Sequence, residues 1–373
     1  MRLAIITDLF TPSIGGQEVR YLEMGRALVA AGHRVDVYTI RTAPDLPSEE
    51  TIDGISVLRV VDGFNYQSSF FGKRNVYDIL KLSLYVLVLQ RSLRKHDVVL
   101  FNMYPLLPQI LYRFFVYRFF AAGPRVIVDW CEIRSGNFWA FLYRAFASNR
   151  FRHVAVANHV RQVLVSRFRI APERTKTILS GVTTALYECR LEDKQDKTIL
   201  FLGRLTAHKN PLLLLESFCD AGLVHEGFSL HIAGGGRLLA EIRSRFGTAA
   251  GVHIHGRISD QHKVALLTKA TLLVLPSRIE GFPRVIAEAA ASGTPSLTTR
   301  YPDNGAVRVV EEYSIGWVCE PDSLLLARAI RERGAMSEQW MQDSMRCRDT
   351  ARRMFDWTSV CDEFLVFAGE HTG

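Results

Sequence analysis

Cysteine is scarce in this chain of 373 residues, and the six present (Cys131, Cys189, Cys219, Cys319, Cys347 and Cys361) are scattered without any C-x-x-C spacing. That excludes a cysteine zinc site and a disulfide framework, and predicts reduced, mostly buried thiols. No D-x-D pair or histidine cluster with metal-ligand spacing occurs, so no metal is expected. Long hydrophobic runs are missing too. The longest uncharged stretch, residues 98–112, falls short of the roughly 20 apolar residues of a membrane-spanning helix and carries Asn102, Pro105 and Pro108. The first strand-like run is followed by "TPSIGGQE" rather than G-x-G-x-x-G, which argues against an NAD-linked oxidoreductase. In "MRLAIITDLF", Asp8 breaks the apolar run too early for a signal peptide, so a cytoplasmic protein is expected.

What is present is ordinary globular composition, with 48% hydrophobic and 23% charged residues. The length exceeds that of a single core and predicts two domains. Charge is divided unevenly. Residues 1–175 hold 23 basic and 14 acidic residues, a net of +9, which leaves 23 basic and 24 acidic in the rest. Of the 23 bases in residues 1–175, 20 are arginine, and "LYRFFVYRFF" (111–120) interleaves them with aromatics. This predicts peripheral contact between the N-terminal half and an anionic membrane; with no recognition motif beside the charge, nucleic acid binding is not expected.

The first 60 residues alternate in a strand, loop, helix, strand order: "LAIITDLF", "TPSIGG", "QEVRYLEMGRALVAAGH" and "RVDVYTI". Further strands are expected at 97–103 and 125–130. The pattern restarts after residue 175, with strands at "TILFLGRL", "FSLHIAGGG", "VHIHGRI" and "TLLVLPS" and a helix at "PRVIAEAAASG" stopped by Gly293. Two consecutive βαβ arrays predict an α/β chain of two Rossmann-like, doubly wound parallel-sheet lobes, with a hinge near 169–181. Ligands of such sheets bind beyond the carboxyl ends of the strands, which places the expected site in a cleft between the lobes.

Chemistry concentrates at those ends. In "SRIEGFPRVIAEAAASGTP", Glu280 and Glu288 flank a Gly281-Phe282-Pro283 turn and the start of a helix, a frame suited to a polyhydroxyl ligand. The amides opening that helix favour an anion. In "FLGRLTAHKN", Arg204 and Lys209 follow another strand and offer cations that a diphosphate leaving group needs.

With these motifs in this order, the sequence resembles the retaining, nucleotide-sugar-dependent glycosyltransferases of family 4, which have the two-lobed GT-B fold. The resemblance runs through "GGQEVRYLEMGRALVAAGHRVDV", "ILSGVTT", "LFLGRLTAHKN", "LHIAGGG" and the stretch 255–295, and "FDWTSVCDEFL" resembles the family's terminal helix. It implies an acceptor-binding domain over 1–172, a donor-binding domain over 173–357, and a helix of about 358–373 packed back on the first. It implies that Arg204 and Lys209 bind the donor diphosphate, and that Glu280 with the backbone of Gly281 and Phe282 holds the donor sugar. Glu288 would take the ribose, Arg257 and Ile258 the base, and Gly15 and Gly16 would approach the phosphate and acceptor. No cofactor is implied beyond a UDP- or GDP-type sugar as co-substrate. Where many members carry a histidine, this chain has "VDWCEIRSG", so Asp129 or Glu132 is the expected replacement near the reacting face, with Trp130 and Glu132 toward the acceptor. The loops 64–75 and 131–141 are expected to set acceptor choice. The family's post-hinge aspartate is Thr183 here. A two-carboxylate glycoside hydrolase leaves Arg204 and Lys209 unexplained; a non-catalytic binder of nucleotide sugars or carrier lipids remains the other class.

Overall fold

The computed structural model describes residues 1–13, 15–64, 75–117, 123–131, 133, 143 and 149–369. The chain forms two compact units, one of Met1–Leu179 joined by the segment from Val360 onward, the other of Ser180–Ser359. Each is built on its own sheet.

In the first unit the strands are β1 (Arg2–Ile6), β2 (Arg34–Arg41), β3 (Glu49–Ile52), β4 (Ile55–Asp62), β5 (Val98–Asn102), β6 (Arg125–Trp130), β7 (Arg152–Ala155) and β8 (Thr175–Thr177). Their order is β3-β4-β2-β1-β5-β6-β7-β8, parallel throughout except the β3–β4 hairpin. That hairpin turns at Asp53-Gly54, whose φ angles of 51° and 81° are those of the two-residue turn that Asp-Gly favours. The central strands are buried on both faces, which is why β1 and β5 read as unbroken apolar runs. Strand order reverses between β1 and β5. The terminal helix Trp357–Gly369 packs on this unit from Val360 onward, where Arg125 and Arg152 donate to the carbonyls of Ala368 and Phe367.

The second unit has six strands, all parallel: β9 (Thr198–Leu202), β10 (Ser229–Ala233), β11 (Val252–Gly256), β12 (Leu272–Leu275), β13 (Ser296–Thr299) and β14 (Gly316–Cys319). The order β11-β10-β9-β12-β13-β14 reverses between β9 and β12. The carboxyl ends of those two strands therefore flank the crevice where an open parallel sheet takes its ligand. The helix Arg284–Ala291 follows the loop after β12 and buries Ile286, Ala287, Ala289 and Ala290.

Candidate functional site

The cationic loop after β9 is held close to the end of β10. Gly234 (φ 144°) and Gly236 (φ 155°) lie against its backbone: a Cβ on Gly234 would stand 1.8 Å from the Gly203 carbonyl oxygen, and one on Gly236 2.3 Å from that of Leu205. Gly203 N–H donates to Ala233 O and Leu205 N–H to Gly235 O. Only glycines permit this approach, and it fixes where Arg204 leaves the strand. Gly256 (φ 70°) ends β11 and turns the chain into exposed Arg257 and half-buried Ile258; the Arg257 side chain covers Gly235. Asn210 adopts a left-handed conformation (φ 54°) before Pro211 opens the next helix, which closes the loop carrying His208 and Lys209.

The loop after β12 is pinned to the same place. Arg278 N–H donates to His208 O at 2.7 Å, Glu280 N–H to Asp303 O at 3.1 Å, and Glu280 O accepts from Gly305 N–H at 2.9 Å. Asn304 anchors that support through Thr298 and Thr299. With both backbone groups fixed, the Glu280 carboxylate receives the Lys209 ammonium in a largely buried ion pair. Arg204 is exposed and has no carboxylate partner among the described residues. The pKa of His208 is lowered by burial first and then by the neighbouring charges of Lys209 and Arg204, so its imidazole favours the neutral form. Three basic side chains and one carboxylate thus share the β9–β12 crevice.

Glu288 lies one helix turn further on and is only 6% exposed. Lys263 Nζ is 3.0 Å from its Oε1, and Arg284 Nη2 is 3.9 Å from the same oxygen. Burial works against the charge on Lys263, but Glu288, Tyr187 and Asp260 outweigh it and the pKa is raised. Pro283 (φ −76°, ψ 100°) stands just before the helix as its N-cap, one position earlier than its place in the first turn would be, and no side chain caps that end. Phe282 packs edge-on to Phe355 at 6.0 Å between ring centroids. Among the described residues no three His, Cys, Asp or Glu side chains converge as metal ligands.

The first-unit expectations fare differently. Asp129, at 1% exposure, is ion-paired with Arg20 at 3.2 Å, and Arg20 also donates to the carbonyls of Ile178 and Leu179. It ties the end of β6 to the helix Gly16–Ala30 as a buried strut. Trp130 corrects the acceptor expectation: it is 2% exposed, its indole donates to His153 Nδ1 at 3.0 Å, and its ring meets Tyr143 edge-on. Neighbours on a strand face opposite sides of the sheet, and the Trp130 side is core. Glu132, the side chains of 115–120 and most of the loops 64–75 and 131–141 lie outside the described residues. Gly15, extended (φ −163°), caps the helix Gly16–Ala30; a Cβ there would collide with the Glu18 carboxylate, whereas one on Gly16 meets nothing within 4 Å. His208, Lys263, Arg20 and the Gly234–Gly236 loop were not anticipated as site residues; only the glycine run is visible as a signal in the sequence.

The family "Glycosyl transferases group 1" matches residues 188–354, and "Glycosyltransferase Family 4" matches residues 14–186. An uncharacterized glycosyltransferase of Methanocaldococcus jannaschii is 24% identical over 360 residues, covering 87% of each chain. Among solved structures, the sucrose-phosphate synthase of Thermosynechococcus elongatus superposes with a TM-score of 0.76 at 17% identity, over 99% of this chain and 100% of that one. Anabaena HepE in complex with UDP gives 0.71 at 17% identity, over 98% of each.

Proposed function

Since the chain belongs to glycosyltransferase family 4 and is a glycosyltransferase of the GT-B fold, we propose that it moves a sugar from a UDP- or GDP-type donor to a hydroxyl acceptor with retention of anomeric configuration. The acceptor class is a glycan, a lipid-linked glycan or a small aglycone. The observation that carries this reading is the Lys209–Glu280 pair at the β9–β12 crevice, beside Arg204 and His208. In the chain by itself Lys209 and Glu280 neutralise each other. An arriving diphosphate competes for the ammonium and, with Arg204, takes over the cationic charge; Glu280 is then released to accept hydrogen bonds from sugar hydroxyls, while Glu288 accepts those of the ribose.

The chemistry follows from that division. The bond from the anomeric carbon to the diphosphate oxygen breaks, and the acceptor oxygen bonds to the same face of that carbon. The departing phosphate oxygen takes the acceptor's proton, so no enzymic base is required. Catalysis then rests on positioning and on neutralising charge that develops on the leaving group, which amino-acid cations supply without a metal cofactor. Fixed donors of this kind are typically worth about 10²–10³ in turnover. Lys209→Ala is therefore expected to lower kcat by that factor with the fold intact; near-parental turnover would remove Lys209 from the mechanism. A thermal-shift screen of nucleotide sugars identifies the donor, and the anomeric configuration of the first product by NMR tests retention. Donor binding without turnover across a broad acceptor panel would instead favour a non-catalytic binder.

A further inference from the structure

The helix Val76–Val88 of the first unit reads VYDILKLSLYVLV, and Asp78 and Lys81 are its only charged residues. Its inner face buries Ile79, Leu82 and Val86, and Asp78 is turned inward as well. At about 3.6 residues per turn, Val76, Leu80, Leu84 and Val88 form one row along the opposite face. They are exposed, Val76 at 76%, Leu84 at 51% and Val88 at 71%, and Tyr77 and Tyr85 widen the row. A helix apolar on every side belongs in an interior, and this one has only half of its surface covered. Of the sixteen exposed large hydrophobic side chains among the described residues, six lie on this one helix, so the patch is local rather than scattered.

The rim of the patch is basic. The Lys81 ammonium lies 4.8 Å from the Tyr77 ring centroid. Beyond Leu89 (φ −68°, ψ −8°) the chain continues as the helix Gln90–Leu93, and Arg91, Arg94 and Lys95 are exposed there. The Arg113 guanidinium stands 5.4 Å from the Phe114 ring centroid. Of the acids nearby, Asp78 is paired with Lys81 and Asp62 with Arg41, while exposed Asp97 accepts from the Arg2 N–H.

We propose that this helix is a membrane-docking surface, lying in the plane of an anionic bilayer with its apolar row at the headgroup–acyl boundary and Arg91 and Lys95 on the lipid phosphates. Charge selects the occupant. A second copy of the chain would set one basic rim against another, whereas a bilayer presents an apolar interior and an anionic surface to the same face. Thirteen residues make a helix about 20 Å long, too short to cross, and no helix among the described residues is long and apolar enough to do so. The surface is independent of the donor chemistry and is tested without a sugar nucleotide.

The test is cosedimentation of the full chain with phosphatidylcholine vesicles and with vesicles containing about 30% phosphatidylglycerol, at low and high salt. Binding is expected to be at least about tenfold tighter to the anionic vesicles and to weaken with salt. Leu84→Asp with Val88→Asp, and separately Arg91→Glu with Lys95→Glu, are each expected to weaken it about tenfold or more at unchanged Tm. Should the apolar pair fail to fold, the charge pair decides alone. Equal binding to both vesicle types, binding to neither, or variants that bind like the parent overturn the proposal; a self-association lost in the apolar variant without vesicle binding assigns the face to a second copy.

Discussion

Glu288 sits between Lys263 and Arg284 on the flank of its helix, and the two cations do different work by distance. Lys263 at 3.0 Å holds the carboxylate in place, whereas Arg284 at 3.9 Å adds charge with little direction. If Glu288 grips the ribose, Lys263 is a positioning residue that touches no reacting atom. Lys263→Met is then expected to raise KM for the nucleotide donor about tenfold while kcat changes little, as for loss of an interaction equal in ground and transition states. An equal fall in kcat and kcat/KM would move Lys263 into the chemistry. Residue identity was readable at these positions before any fold was known: Arg204, Lys209 and Glu280 stand in loops after strands and Glu288 in the helix that follows, all placed by periodicity alone. Their partners were not. Lys209 meets Glu280 from 71 positions away, and Lys263 has the surroundings of an ordinary surface helix in the sequence. Trp130 shows the reverse failure, because an aromatic at a strand end reads as a ligand contact until the pleat assigns it a side.

At the scale of elements, the glycine loop after β10 and the histidines of β10 and β11 carry separate expectations. Gly234 combines a φ of 144° with a neighbour that a Cβ would meet at 1.8 Å. Gly234→Ala therefore suffers both backbone strain and overpacking, a loss of about 2–5 kcal/mol in urea unfolding, with donor affinity falling as the Arg204 loop is displaced. Register places His231 opposite His253 on the adjacent strand, and period-two alternation brings His255 to the same face, where its Nε2 is 3.0 Å from His231 Nδ1. Burial first, then His253 and His255, push the His231 pKa down to about 4. An unfolded chain protonates this imidazole near its ordinary value of about 6.5, so the stabilisation is whole above that pH and drains as pH falls toward about 4. Tm is expected to drop across that window, and to drop less in His231→Gln. The strands themselves were legible, since parallel strands buried on both faces must be apolar runs. The β3–β4 hairpin was announced only by Asp53-Gly54, a two-residue signal lost among longer patterns.

At the scale of the whole molecule, two sheets each reverse strand order once, between β1 and β5 and between β9 and β12. A nucleotide bound by the native chain alone stabilises it by mass action, about 2.7 kcal/mol at one hundred times its Kd. UDP or GDP at that excess is expected to raise Tm by several degrees, and Glu288→Ala to shrink the shift; no shift with either nucleotide counts against the proposed donor class. The sequence by itself determined the two α/β repeats, the family and the chemical types at the strand ends, because these depend on local periodicity and on motifs contiguous in the chain. The tertiary structure alone decided which carboxylate faces which cation, that Asp129 is a buried strut rather than a free acid, and that the Val76–Val88 helix shows an apolar face to the outside. The reason is physical: an ion pair or a burial state belongs to residues far apart in sequence, and only the packed sheet sets the few ångströms that make them partners.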